Sequence, residues 1–99
     1  MENLIFTQDE LKAIKDAIQY GLLFSNIESE TAEFGILLVD FEESIFNKEP
    51  SEITFKLSKL ELFLNCTKYA LIYSQDIEMK QNFVDLLIKL DRFILKNKK

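Results

Sequence analysis

Residues 60–74 read LELFLNCTKYALIYS, and this stretch decides the fold that the sequence predicts. It contains neither proline nor glycine, and it is long enough for about four helical turns. Its apolar residues do not keep to one face, because at 100° per residue they fall into two stripes. A helix of this kind needs cover on two sides, from its own chain or from another one.

The two stripes of this third predicted helix differ in composition. The first stripe is aliphatic and comprises Ile53, Leu57, Leu60, Leu64 and Leu71. The second lies on nearly the opposite side and comprises Phe55, Leu62, Cys66, Tyr69 and Tyr73. Either the helix is central in its own bundle, or the second stripe mediates self-association, most simply as a homodimer. Tyrosine suits an interface rim, because its ring buries area while its hydroxyl stays in water.

The rest of the sequence predicts an all-α fold. Two glycines and one proline in 99 residues are too few for the many tight turns of a strand-rich fold. Helices are predicted at approximately 7–24, 29–46, 51–73 and 77–95. Helices of this length with short links predict an antiparallel up-down four-helix bundle, as a single helical domain over residues 1–99. The alternative is three longer, bent helices, if the breaks at 25–28 or 74–76 are kinks.

Local signals place the helix ends and the buried faces. Thr7 and Glu10 in TQDE form a capping-box pattern that starts the first helix. Pro50 ends the second helix, and Pro50 or Ser51 opens the third. The inner stripe predicted for the second helix is Phe34, Leu38, Phe41 and Ile45. The fourth helix has one broad apolar face and a second apolar line made of Ile77, Val84, Ile88 and Leu95.

Charge is concentrated in the second helix. The net charge is −5, and residues 26–49 hold seven acidic residues and one lysine. Glu33, Ile36, Asp40 and Glu43 follow helical spacings of 3, 4 and 3, which predicts one outward ridge. An apolar residue ringed by carboxylates is a plausible anchor for a basic partner surface. The alternative is a solvated helix face with one incidental isoleucine.

The sequence has no pattern typical of catalysis or of cofactor binding. It contains no histidine, which removes the commonest general base and the usual zinc ligands. It has a single cysteine and no glycine-rich phosphate loop. We therefore expect no enzymatic activity, no metal and no cofactor. Nucleic-acid binding is not expected either, because the only basic cluster is Lys96, Lys98 and Lys99 at the C-terminus.

These observations favour a protein that acts by binding. The absence of a secretion signal, of a spanning segment and of paired cysteines predicts a cytoplasmic location without membrane contact. The leading hypothesis is an inhibitor, immunity protein, antitoxin or adaptor that occludes a basic surface on another protein. A variant of this hypothesis is that the acidic residues imitate DNA and so block a DNA-binding protein. The alternatives are a self-associating assembly protein and a carrier of an apolar small molecule between phenylalanine-rich helices.

Overall fold

The computed structural model describes residues 3–98, which form four α-helices and one short 3-10 turn. The helices are α1 (Gln8–Phe24), α2 (Glu28–Ile45), α3 (Leu57–Tyr73) and α4 (Ile77–Asn97), and the 3-10 turn is Pro50–Glu52. The prediction of an all-α four-helix fold is confirmed. The alternative of three bent helices is wrong, because Ser25 and Ser74 end α1 and α3 with extended backbone. Lys99 of the predicted basic tail lies outside the described residues, as do Met1 and Glu2.

Contacts between α2 and α3 show that these neighbours run antiparallel. Lys59, early in α3, pairs with Asp40, late in α2, at 2.7 Å. Tyr69, late in α3, donates a hydrogen bond to Glu30, early in α2. Contacts of α1 with α2 and with α4 also progress in opposite directions along the two helices, so these pairs are antiparallel as well. The predicted up-down bundle is therefore confirmed.

The parallel pair α1 and α3 forms the centre of the bundle. Phe24 and Tyr73, at the C-terminal ends of these helices, stack with ring centroids 4.3 Å apart. The contact between α1 and α3 is the most extensive of any helix pair. α2 and α4 pack on this pair but make little contact with each other. The outer faces of α2 and α4 consequently have no neighbouring helix within residues 3–98.

The buried centre of α3 lies between the two predicted stripes. Phe63, Thr67 and Ala70 are at most 1% exposed, and none of them belongs to either stripe. α4 packs against α3, and its Phe93 and Asn97 lie beside Leu57 of the first stripe. α2 packs along the side of the second, where Tyr69 meets the Phe34 ring edge-on. α3 is thus the central helix, and its own chain covers it on both sides.

α1 begins where the sequence predicts, because Thr7 and Glu10 cap each other. The Glu10 amide donates to Thr7 Oγ1 at 3.1 Å, and the Thr7 amide donates to Glu10 Oε1 at 2.8 Å. Lys89 of α4 donates to the same carboxylate at 2.8 Å and to the Ile5 carbonyl at 2.9 Å. Burial acts to raise the pKa of Glu10, but the hydrogen bonds from Lys89 and Thr7 outweigh it and lower that pKa. This cluster fixes the start of α1 against α4.

The prediction that Pro50 or Ser51 opens the third helix is wrong, because α3 begins at Leu57. Pro50 opens the 3-10 turn instead, and the backbone is extended at Ile53. In an extended chain, residues two apart point to the same side, so Ile53 and Phe55 both reach the core. A helix would place these two side chains about 200° apart. Packing of both residues therefore favours the extended segment over another helical turn.

Gly21 lies at a close approach of α1 to both α2 and α3. A Cβ atom at this position would lie 2.9 Å from the Phe34 ring and 3.2 Å from Cys66 Sγ. We expect Gly21→Ala to lower the free energy of unfolding by about 1–2 kcal/mol. Overpacking costs about 1–3 kcal/mol, and a contact of 2.9 Å belongs in the upper part of that range, so the cost exceeds the gain of roughly 1 kcal/mol in helix propensity. Urea denaturation of the variant and the wild type measures the difference.

Gly35→Ala is the matched control for this substitution. The nearest atom to a Cβ at Gly35 is Leu22 Cδ2, at 4.0 Å, so a methyl group has room there. We expect this variant to gain about 0.5–1 kcal/mol from helix propensity alone. The two glycine-to-alanine changes should therefore shift the urea midpoint in opposite directions. Shifts of the same sign and size would contradict the close approach at Gly21.

Candidate functional site

Residues 3–98 contain no group of three or more histidine, cysteine, aspartate or glutamate side chains that could hold a metal ion. Cys66, the single cysteine, is fully buried. Burial and the nearby charge of Glu30 raise the pKa of its thiol to about 12. A thiol in this state is a poor nucleophile at neutral pH. The candidate sites are therefore surfaces.

The outer face of α2 carries three of the four residues predicted to bind a partner. Ile36 points away from the bundle and is 63% exposed. Glu33 and Glu43 are exposed on the same side of the helix. Neither carboxylate has a cationic partner among the described residues, and the same holds for Glu28 at the start of α2. The structure thus brings together an exposed apolar residue and unpaired negative charge.

Asp40 does not belong to this free ridge. Its Oδ2 lies 2.7 Å from Lys59 Nζ of α3, and both side chains are partly buried. The ion pair joins α2 to α3, so Asp40 has a role within the fold. Glu42 is held more loosely, 3.6 Å from Lys15 of α1, with both side chains about half exposed. The prediction that Asp40 forms part of one outward ridge is corrected on this point.

Sequence reasoning missed two large apolar residues on the same face. Val39 is 56% exposed and Phe46, directly after the helix, is 72% exposed. Together with Ile36, Glu43 and the exposed Ala32 they form what we call the α2 seam, which comprises Ala32, Ile36, Val39, Glu43 and Phe46. Its members follow spacings of 4, 3, 4 and 3, so they lie in one line about 21 Å long. That regular spacing was the signal available in the sequence.

Glu30 differs from the other acidic residues of α2, because its carboxylate is used at the end of the bundle. It accepts a hydrogen bond from Ser25 Oγ at 2.8 Å and one from the Tyr69 hydroxyl. The bond to Glu30 raises the pKa of the Tyr69 phenol. These contacts join the ends of three helices. Glu30 therefore contributes to structure, and the charge left for a partner comes from Glu28, Glu33 and Glu43.

The residues predicted for self-association do not form one exposed surface. Cys66 is 0% exposed, and Phe55 packs against the rings of the core. Leu62 and Tyr69 are half-buried and pack against the core. Tyr73 is the most accessible of the five, at 42%, and its ring stacks within the same chain. The stripe is unsuited to a self-interface as a whole, because α2 covers the side on which it lies.

The second apolar line of α4 is more exposed than the second stripe of α3. Ile77 is 84%, Leu95 is 66% and Ile88 is 42% exposed, whereas Val84 is half-buried. Charges of both signs lie beside this line, including Asp85 and Arg92. At one end of the bundle, an open groove of about 640 Å³ adds further apolar surface. It is lined in part by Leu23, Phe24, Tyr73 and Met79.

Comparisons of this chain with protein-family models, with curated proteins and with solved structures gave no match. Among the helices within residues 3–98, none combines the length and the apolar character that crossing a membrane requires. Among the surfaces of the bundle, the outer face of α2 combines apolar exposure with charge of a single sign.

Proposed function

We propose that this chain is a non-enzymatic protein-binding module whose outer α2 face occludes a basic surface of another protein. The supporting observation is the α2 seam, in which Ile36, Val39 and Phe46 each leave more than half of their surface in water. Burying a large apolar side chain contributes roughly 1.5–3 kcal/mol. A partner that covers these three residues would supply that burial, which the rest of residues 3–98 does not.

The charge of α2 supports the choice of a basic partner. The helix has six acidic residues and no basic residue, and three of its carboxylates have no cationic partner within residues 3–98. Charge of one sign around an apolar centre accelerates encounter with the opposite charge and disfavours wrong partners. The same charge repels phosphate, so nucleic acid is not the proposed target. Association should weaken as the salt concentration rises.

This activity fits an inhibitor, an immunity protein, an antitoxin or an adaptor, all of which act by covering a surface. Catalysis is not part of the proposal, since the chain has no histidine and its one thiol is buried. A single unpaired cysteine also suits a reducing compartment, and we therefore include a cytoplasmic location in the proposal. The mechanism is steric and electrostatic: apolar seam residues insert, and the carboxylates steer.

The double variant Ile36→Arg/Glu43→Lys tests the proposal. We expect it to lose at least about 10-fold in capture of basic proteins from an extract of the source cell, because it removes one apolar anchor and reverses charge at a second seam position. The melting temperature should stay unchanged, because both side chains are exposed. Asp40 is left intact, since replacing it would break the pair with Lys59 and disturb the fold.

Ile88→Arg/Asp85→Lys on α4 is the matched control. It makes the same two kinds of change on the opposite side of the bundle, at an exposed isoleucine and an exposed carboxylate. Capture by this variant should equal capture by the wild type. The proposal fails if both double variants, each folded, capture the same proteins to the same extent. It also fails if the captured proteins are not basic or their retention is independent of salt.

A further inference from the structure

The spacing of the α2 seam identifies the shape of the partner element. Its five positions repeat every 3.5 residues on average, which is the repeat of helices that pack along one another. We infer that the partner presents an amphipathic α-helix with basic residues beside its apolar face, and that this helix lies along the α2 seam. The inference deepens the proposed function and rests on it, because it specifies what occupies the same surface.

The dimensions of the seam favour a helix over an extended strand. Four intervals at a mean of 3.5 residues and 1.5 Å per residue give a line of about 21 Å. A partner helix repeats its apolar face at the same interval, so each seam residue meets a partner side chain. On one face of a strand, side chains recur every 6.6–6.8 Å, and four intervals extend over about 27 Å. A strand would therefore fall out of register before reaching Phe46.

The seam is narrow, and its borders carry charge. Glu33 lies on one border, exposed and without a cationic partner among residues 3–98. Glu42 lies on the other border and is half exposed beside Lys15. In paired helices, the residues beside the apolar face determine which partner is accepted. The unpaired carboxylate of Glu33 therefore favours lysine or arginine beside the apolar face of the partner helix, whereas Glu42 already has Lys15 nearby.

Glu43 sets the register of the two helices. It interrupts the apolar seam between Val39 and Phe46, and it has no cationic partner within the described chain. A carboxylate covered by a purely apolar face would lose its hydration without compensation. The partner helix must therefore place a basic side chain opposite Glu43. A single polar position of this kind fixes the register of paired helices.

The corresponding line on α4 does not support an equivalent inference. Ile77, Ile88 and Leu95 are exposed there, but Asp85 and Arg92 place opposite charges beside them. Mixed charge selects no particular partner. The α2 face differs because the charged residues of α2 beside its apolar line are all acidic. This combination favours one kind of partner, a basic amphipathic helix.

A pair of synthetic peptides tests the inference directly. The first has 21 residues, with leucine at the a and d positions of three heptads, one central a position occupied by lysine, and lysine at e and g. The lysines also oppose pairing of the peptide with itself. The second has the same composition in an order that spreads leucine around the helix. Fluorescence anisotropy gives their affinities for the full chain, and circular dichroism gives the helix content gained on binding.

We expect the first peptide to bind at least about 10-fold more tightly than the second and to gain helix as it binds. Val39→Lys should weaken this binding at least about 10-fold, whereas Ile88→Lys on α4 should leave it unchanged. Glu43→Lys should weaken it too, and a peptide with glutamate in place of the central lysine should recover the loss. Thermal denaturation confirms that each variant is folded.

Three results would overturn the inference, and they bear differently on the proposed function. Equal binding of both peptides, lost in Glu33→Lys/Glu43→Lys, would show recognition of basic charge without a helix and would leave the proposed function standing. Equal weakening of peptide binding by Val39→Lys and Ile88→Lys would show that the peptide does not bind specifically at the α2 seam. If neither peptide binds, the inference of a helical partner is rejected. The capture experiment then tests the proposed function separately.

Discussion

Phe63→Ala is expected to lower the free energy of unfolding by about 3–5 kcal/mol, the range for removing a large aromatic side chain from a core. Phe63 is 1% exposed at the centre of α3. Its ring meets Phe41 of α2 edge-on at 5.7 Å, and it meets Phe55 edge-on at 4.9 Å. Truncation therefore removes contacts to a second helix and to the extended segment before α3. Urea denaturation followed by circular dichroism at low temperature gives the difference.

Phe46→Ala is the matched control for this truncation. The same ring is removed, but from a side chain that is 72% exposed. We expect its effect on the free energy of unfolding to lie within about 0.5 kcal/mol, as for most surface substitutions. Comparable losses of stability in the two variants would contradict the assignment of Phe63 to the core and of Phe46 to the surface.

Helix number and topology were predictable because the signals that determine them are local. The Thr7–Glu10 capping box depends on residues three apart, and the structure contains it as predicted. The start of α3 was not predictable in the same way. The extended segment at Ile53 and Phe55 is favoured by packing against residues that are distant in sequence, including Phe41. No local pattern around Pro50 contains that information.

The buried face of α3 was misplaced for a related reason. Hydrophobic periodicity gives weight to large apolar residues, so it found the two flanking stripes. Phe63 is the large apolar residue at the centre of this face, but the next two positions along it, Thr67 and Ala70, are small. Small residues allow close packing of α1 and α3, and a Cβ atom added at Gly21 would lie only 3.2 Å from the Cys66 sulfur. Hydrophobic periodicity detects apolar residues, whereas close packing of two helices also depends on small residues.

The candidate surface was partly predictable. Ile36, Glu33 and Glu43 lie outward as the ridge requires. The predicted inner stripe of α2 contains Leu38 beside Phe34, Phe41 and Ile45, whereas Leu37 is the fully buried leucine and Leu38 is half-buried. At 100° per residue, the mean direction of the buried face of α2 therefore differs from that of the predicted stripe by about 40°. The same rotation explains two errors together, because it turns Val39 outward and brings Asp40 toward α3.

The thiol of Cys66 is expected to react with iodoacetamide at pH 8 at least about 10³-fold more slowly in the folded chain than in the urea-unfolded chain. The thiolate is the reactive species. Burial first, and the charge of Glu30 second, raise the pKa of this thiol to about 12, whereas an exposed cysteine has a pKa near 8.5. At pH 8 this difference alone reduces the thiolate fraction by roughly 10³-fold. Mass spectrometry over time measures the alkylation.

Ile36→Cys/Cys66→Ala is the control, because it moves the single thiol to the exposed α2 seam. This variant should react at a rate close to that of the unfolded chain. Fast reaction of native Cys66 would contradict the bundle. Phe34 and Glu30 of α2 cover Tyr69, and Cys66 is fully buried. Self-association through Cys66 and Tyr69 would require this part of the bundle to open, which would expose the thiol. A partner bound to the outer face of α2 leaves Cys66 buried and unreactive, so alkylation at high protein concentration separates the two modes of association.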